Sequence, residues 1–296
     1  MRALFLTFLT LTSLIFSPAV AQRGVSAPDP YTLDETGIGP SNVGGGPSHN
    51  VGSLTLRSQT TNPAQRTLVL IIAGQSNAAN VVPTRVAPTN ASVIDQINVY
   101  DGAIYSVRGD MVGCSNDDTH GNMNVQLADK FISGGQFDRV IIGDVSISTT
   151  TISQWSTGTL STRVPVLLRR LAARGITPAS TNVTFAFLWQ QGESDTGTTQ
   201  LAYQTGFGVV QSNIVAAGFS GRIFVAKETL LSNTVNATIQ AAQVALVNNI
   251  TIWSAGDLDA LTGANRQGDG THWSDTGAPN AATALYNAMH ASGTPY

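Results

Sequence analysis

The sequence predicts an α/β fold in which helices cover both faces of a central parallel sheet. From Thr67 onward, short runs of apolar and β-branched residues alternate with segments of helical periodicity. The runs contain few polar residues, which is typical of parallel strands that are buried on both faces. The predicted strands cover residues 68–73, 97–100, 140–144, 183–189, 223–227 and 250–253. The predicted helices cover residues 122–132, 163–174, 201–217, 239–247 and 278–290.

The ends of these helices carry residues that favour them. Gly175 and Gly218 follow the second and third helices, where a glycine readily closes a helix. Pro279 lies in the first turn of the last helix, where the missing N–H costs little.

Residues 1–21 predict a secretory signal peptide. One cation, Arg2, precedes an apolar run over residues 3–16, and the segment ends in small residues suited to cleavage before Gln22. The run is too short for a membrane anchor. We therefore expect a secreted or periplasmic protein that has no membrane attachment after cleavage.

The mature chain divides into an arm and a domain. Residues 22–66 are rich in Gly, Pro, Ser and Asn, which predicts an extended arm or linker, with an edge strand at residues 54–56. Residues 67–296 contain all the alternating strands and helices and form the predicted domain.

Composition argues against several partners. Charged residues make up 11% of the chain, against about 25% in ordinary globular proteins, and no basic cluster suggests nucleic acid. Cys114 is the only cysteine, and no activating pattern surrounds it, so we interpret it as a structural residue. No His or Cys motif has the spacing of a metal site, and we expect no metal.

Three short segments carry the residue types of a nucleophilic hydrolase. In parallel sheets, ligands bind at the carboxyl ends of the strands, and both Ser76 and Gln191 follow predicted strands. A serine hydroxyl needs a base to take its proton, and a histidine base needs a carboxylate to orient it. Asp269 and His272 are three residues apart and can supply that pair within one loop. The Ser76 N–H, the Gln191 amide and an N–H in the loop after Asp144 are candidate oxyanion donors.

Each segment alone is weak, but their combination resembles a known family. The segments at 74–77, 191–195 and 269–272 read Gly-Gln-Ser-Asn, Gln-Gly-Glu-Ser-Asp and Asp-Gly-Thr-His. They resemble the first, third and fifth blocks of the SGNH/GDSL hydrolases, in particular the branch with sialate O-acetylesterases and acetylxylan esterases. The resemblance implies a flavodoxin-like three-layer α/β/α fold. It also implies removal of O-acetyl groups from a carbohydrate, such as xylan or sialic acid, without a cofactor.

Residue roles follow from the same resemblance. It implies Ser76 as nucleophile, His272 as base and Asp269 as the acid that orients the base. The candidates for the oxyanion hole and for substrate binding are Gln191, Ser148, Thr149, Gln75, Asn77 and Glu193. Within this set, Glu193 is expected, together with Asp195, to order its turn or cap the next helix rather than react.

The second block departs from the family pattern. The family has a glycine before a tryptophan there, whereas residues 147–155 contain no glycine, and Ser148 or Thr149 falls nearest its position. A β-carbon adds crowding and demands a different backbone conformation. The departure leaves open a catalytically impaired carbohydrate-binding or adhesion protein on the same scaffold. Two further alternatives are His120 as the base, if His272 is not, and a lipase or thioesterase.

Overall fold

Seven strands form the central sheet in the computed structural model, which describes residues 51–116 and 119–291. In chain order they are β1 (Thr67–Gly74), β2 (Ile94–Ile97), β3 (Ile104–Ser106), β4 (Arg139–Asp144), β5 (Val183–Gln190), β6 (Arg222–Lys227) and β7 (Ile252–Asp257). They lie side by side in the order β3-β2-β4-β1-β5-β6-β7. Every neighbouring pair is parallel except β2 and β3. The predicted signal peptide and residues 22–50 of the predicted arm lie outside the described residues.

Helices cover both faces of this sheet. They are α1 (Met123–Ser133), α2 (Ile152–Ser156), α3 (Arg163–Ala172), α4 (Gln200–Ala216), α5 (Ala237–Leu246) and α6 (Gly277–Ala291). One core contains apolar residues of α2, α3, α4 and α5, and a second core on the opposite face contains those of α1 and α6. The predicted α/β class with a central parallel sheet and helices on both faces is confirmed. In the described part of the chain, none of the helices has the length and apolar character needed to cross a membrane.

Strand β1 is the centre of the sheet and is buried along its whole length. Its residues alternate between the two cores: Leu68, Leu70 and Ile72 face one, and Val69, Ile71 and Ala73 face the other. Alternation of this kind follows from the two-residue period of a strand. The carboxyl end of β1 is therefore fixed from both faces and from both neighbouring strands.

Two predicted strands are displaced along the chain. Strand β2 begins three residues early because it contains buried polar residues that an apolar criterion misses, among them Asp95, which pairs with Arg139 at 2.7 Å. Strand β7 begins at Ile252 because the Asn248 side chain accepts from the N–H groups of three following residues and makes a turn there. Ile250, a predicted strand residue, is 77% exposed.

Two short elements were not predicted. Strand β3 has three residues and helix α2 has five, which is too short for a periodic pattern to appear in the sequence. The predicted edge strand at residues 54–56 is a single bridge between Leu56 and Tyr105. Arg57 and Gln59, which follow it, donate hydrogen bonds to Ala91 and Ile104, so the last part of the predicted arm contacts the domain.

A close approach of β1 and β5 sets the position of the residues after β1. Gln75 donates its N–H to the Gln190 carbonyl at 3.0 Å. A Cβ atom on Gly74 would lie 1.9 Å from that carbonyl oxygen, so the contact requires glycine. Residues 75 and 76 are thereby held at the carboxyl edge of the sheet, next to the end of β5.

Gly74→Ala should destabilise the domain by about 2 kcal/mol or more, since the clash is with backbone and no rotamer relieves it. Gly208→Ala in α4 is the control, because nothing lies within 4 Å of the added Cβ and Ala favours a helix interior by about 0.5–1 kcal/mol. Urea unfolding of both variants measures the difference. A Gly74→Ala protein as stable as the wild type would contradict the close approach.

Candidate active site

Ser76 lies at the carboxyl edge of the sheet, in a 3₁₀ turn (Ser76–Ala78) that follows β1 directly. Its side chain is 6% exposed. The Ser76 Oγ atom is 2.9 Å from Nε2 of His272, although the two residues are 196 positions apart. The fold thus brings together the serine and the histidine that the sequence singled out.

Asp269 orients His272 within a loop between β7 and α6. The Asp269 Oδ2 atom is 2.6 Å from the His272 Nδ1 atom, and its Oδ1 atom accepts the N–H groups of Thr271 and His272. Gly270 has φ +66°, a conformation that glycine adopts without strain, and allows the loop to fold back. Because Nδ1 faces a carboxylate, it carries the ring proton, and Nε2 is left to accept from the Ser76 hydroxyl.

Hydrogen bonds stabilise the charged form of Asp269. Partial burial acts to raise the pKa of this carboxyl, but the Thr271 N–H and the His272 ring and N–H outweigh it, so the pKa lies below its usual value. The carboxylate is therefore ionised at neutral pH and can stabilise a positive charge on the His272 ring.

Asn77 links three segments of the site. Its side-chain amide donates to Glu193 Oε1 at 2.9 Å and to the Thr271 carbonyl at 3.1 Å, and its oxygen accepts the Trp273 N–H. The side chain is fully buried and both of its amide protons are used. Asn77 therefore fixes the serine turn against the histidine loop, and the structure does not offer it to a substrate.

Gln191 is not placed as an oxyanion donor, which corrects the sequence interpretation. Its amide donates to the Thr150 carbonyl at 2.8 Å and to the Asp195 carboxylate, and the side chain is fully buried. Both neighbours are acceptors, so the NH₂ group must face them and no strong donor remains for an oxyanion. Gln191 instead connects the third block to the second.

The other third-block contacts are also structural. Gln75 is 2% exposed, and its Oε1 atom accepts the Ser194 N–H at 3.2 Å. Glu193 is fully buried against Asn77. The alternative base, His120, is exposed and lies 3.1 Å from the Thr119 hydroxyl, whereas the Ser76 hydroxyl faces His272. The geometry therefore favours His272 as the base.

The glycine-free second block runs beside the serine turn. Ile147 donates its N–H to the Gly74 carbonyl at 3.0 Å, which aligns the next residues with Gln75 and Ser76. Thr149 has φ +59°, the left-handed conformation that glycine favours. The threonine thus has a left-handed backbone conformation that a glycine would adopt easily. Its β-carbon has not forced a different conformation.

Two backbone N–H groups at this point have no acceptor among the residues that the structure describes. The Ser148 N–H donates to the Ser115 hydroxyl at 2.8 Å, so it is already used. Among the described residues, none accepts from the N–H of Ser76 or of Thr149. Of the two second-block candidates, Thr149 is therefore the one whose N–H no described residue accepts.

Two buried glutamates, Glu193 and Glu228, lie close to Asn77 and Arg266. Burial raises the pKa of Glu228 to about 8, and the charge of nearby Arg266 opposes this only in part. Burial and the charge of Glu228 raise the pKa of Glu193 well above its ordinary value. With a pKa of about 8, Glu228 holds its proton at neutral pH. Arg266 donates to the Thr271 carbonyl at 2.7 Å and stacks on the Trp273 ring, so it supports the histidine loop from the same side.

Sequence reasoning missed two contributors to this region. Glu228 follows the carboxyl end of β6, and the rule that drew attention to Ser76 and Gln191 could have found it. Ser115 lies in an irregular segment, where no pattern in the sequence marks it. Over the described residues, no cluster of three or more His, Cys, Asp or Glu side chains could hold a metal ion.

The fold is shared with solved structures of low sequence identity. A protein from Arabidopsis thaliana matches with a TM-score of 0.60 at 16% identity, over 76% of this chain and 98% of that one. This match shows that the chain shares the α/β fold of that protein, as the sequence predicted. A carbohydrate acetylesterase from Xanthomonas citri and a protein from Bacillus subtilis each match with a TM-score of 0.49 at 12% identity. These two matches cover 75% and 77% of this chain but only 55% and 57% of those chains. The chain matches no family model and no curated protein.

Glu228→Gln should stabilise the protein at alkaline pH. The folded-state pKa of Glu228 is about 8, above its ordinary value of 4.5, so unfolding releases a proton between these limits and stability falls as pH rises. The total is on the order of a few kcal/mol, since one pKa unit corresponds to about 1.4 kcal/mol. A glutamine at this position does not titrate, so the variant does not lose stability in this way.

Urea unfolding of wild type and variant between about pH 4 and pH 9 gives this comparison, because that range brackets the two pKa values of about 4.5 and 8. The free energy of unfolding of the variant should increase steadily relative to that of the wild type as pH rises. Parallel curves for the two proteins would show that Glu228 is not a buried acid with a raised pKa.

Proposed function

We propose that this protein is a serine ester hydrolase with Ser76, His272 and Asp269 as its catalytic triad. The observation that carries the proposal is the continuous hydrogen-bond chain from Asp269 Oδ2 through His272 to Ser76 Oγ, with contacts of 2.6 and 2.9 Å. These hydrogen bonds lie at the carboxyl edge of the sheet, where ligands bind in α/β folds.

The reaction follows from these contacts. Ser76 Oγ attacks the carbonyl carbon of the ester while its proton passes to His272 Nε2, and the N–H groups of Ser76 and Thr149 hold the resulting oxyanion. Collapse breaks the ester C–O bond, and the alcohol leaves with the proton from His272. Water then attacks the acyl-enzyme by the same route and releases the acid and free Ser76.

We further propose that the substrate is an O-acetylated carbohydrate. The motif resemblance supports this class, and exposed hydroxyl and amide side chains lie beside the triad. Thr149 lies beside the serine turn, while Ser232 and Asn233 donate their N–H groups to Thr271 and Gly270 of the histidine loop. Such groups suit hydrogen bonding to sugar hydroxyls. With the predicted signal peptide, the enzyme would meet its substrate outside the cytoplasm.

Ser76→Ala should lower the turnover of an acetyl ester by about four to six orders of magnitude, because a triad acts as a unit. Ser212→Ala removes an exposed hydroxyl on α4, far along the chain from the site, and serves as the matched control with unchanged turnover. Steady-state hydrolysis of a chromogenic acetyl ester measures both. A Ser76→Ala enzyme that keeps most of its activity would overturn the triad.

Acetate release from a panel of substrates tests the substrate class. We expect kcat/KM at least about tenfold higher for acetylated xylan or an O-acetylated sialic acid than for a long-chain acyl ester, a difference of about 1.4 kcal/mol in transition-state binding. Preference for the long-chain ester would instead identify a lipase or thioesterase and contradict the carbohydrate proposal.

A further inference from the structure

Asp195 is a buried carboxylate of the third block that does not touch the triad. Its side chain is 1% exposed and receives hydrogen bonds from three groups. These are the Ile152 N–H at 3.0 Å, the Gln191 amide, and the Thr198 hydroxyl at 2.7 Å. These donors satisfy the carboxylate, and its burial prevents direct contact with a substrate.

Two of the three contacts lead to the second block. Ile152 begins α2, three residues after Thr149, so its contact with Asp195 fixes the chain that leaves the second block. Gln191, which Asp195 holds, donates to the Thr150 carbonyl at 2.8 Å and fixes the peptide between Thr150 and Thr151. Asp195 thus secures the second block at two adjacent points.

The other side of Thr149 is secured independently. Ile147 donates to the Gly74 carbonyl, and Ser148 donates to the Ser115 hydroxyl. Thr149 lies between these two sets of contacts and is exposed, so packing of its own side chain does not impose its conformation.

The conformation of Thr149 is unfavourable in itself. A β-branched residue rarely adopts φ near +59°, and such strain persists only when the surrounding contacts over-determine it. Without the contacts on one side, the loop would relax to a negative φ and turn the Thr149 peptide. Its N–H would then point away from the position of an oxyanion beside Ser76.

We propose that Asp195 is a positioning residue for the oxyanion hole: through Gln191 and Ile152 it holds Thr149 in the left-handed conformation. The inference rests on the proposed role of the Thr149 N–H in ester hydrolysis. It differs from the expectation that Asp195 orders only its own turn or caps the next helix in sequence, since the helix it contacts is α2.

A double-mutant cycle of Asp195→Asn and Thr149→Gly tests this role. Asp195→Asn should lower kcat about 10- to 100-fold and change KM less than about threefold, because an oxyanion contact acts mainly in the transition state. Thr149→Gly keeps the backbone N–H and adopts the required φ without strain, so Asp195→Asn should lower kcat less in the Thr149→Gly background than in the wild type. In the Asp195→Asn background, Thr149→Gly should restore kcat at least about fivefold.

Thr198→Ala is the matched control, because it removes a donor from the same carboxylate without touching the second block. Its kcat should stay within about threefold of the wild type, the size of a minor effect on binding. A double variant as slow as Asp195→Asn alone, or an Asp195→Asn enzyme with normal kcat, would overturn the proposal. If Asp195→Asn fails to fold, Gln191→Met breaks the link to Thr150 and should show the same rescue.

Thermal unfolding of the wild type, the two single variants of the cycle and the double variant separates this inference from the proposed function. Thr149→Gly should raise Tm more in the wild type than in Asp195→Asn, by about 2–4 °C, because only an intact Asp195 imposes the strain that glycine relieves. Equal Tm changes in the two backgrounds would overturn the positioning role. Absence of ester hydrolysis by the wild type, with the Tm difference present, would instead reject the proposed function alone.

Discussion

The site depends above all on the buried amide of Asn77. It binds Glu193 of the third block and both the Thr271 carbonyl and the Trp273 N–H of the histidine loop. Ser76 is its neighbour in the chain, so the distance from Ser76 Oγ to His272 Nε2 is determined largely by these contacts. The close approach of β1 and β5 at Gly74 places Asn77 where it can reach both segments. A rigid sheet and one amide thus align residues that are far apart in sequence.

The pKa values of the acidic groups in and around the triad support the same arrangement. Glu193 and Glu228 have raised pKa values because they are buried, whereas hydrogen bonds from Thr271 and His272 lower the pKa of Asp269. At neutral pH Asp269 therefore carries its negative charge next to the ring that becomes positive, while Glu228 holds a proton. Arg266 donates a hydrogen bond to the Thr271 carbonyl and so holds the histidine loop.

The sequence predicted the layers of the fold, because apolar periodicity is a local pattern. The roles of Ser76, His272 and Asp269 were implied by the resemblance of three short segments to a known family. The sequence misplaced β2, whose burial relies on the pairing of Asp95 with a residue of another strand, Arg139. It also assigned Gln191 to the oxyanion hole, since the acceptors that occupy its amide, Thr150 and Asp195, come together only in three dimensions. The left-handed conformation of Thr149 is imposed by contacts on both of its sides, and no residue pattern marks it.

The central claim is that His272 activates Ser76 as a nucleophile. Mass-spectrometric mapping of the protein after brief exposure to a fluorophosphonate tests it most directly, because the reagent forms a stable bond with an activated serine oxygen. The account predicts one adduct, on the peptide that contains Ser76, and its loss in a His272→Ala variant that remains folded. Labelling at another serine, or labelling of Ser76 at the same rate in His272→Ala, would contradict the account.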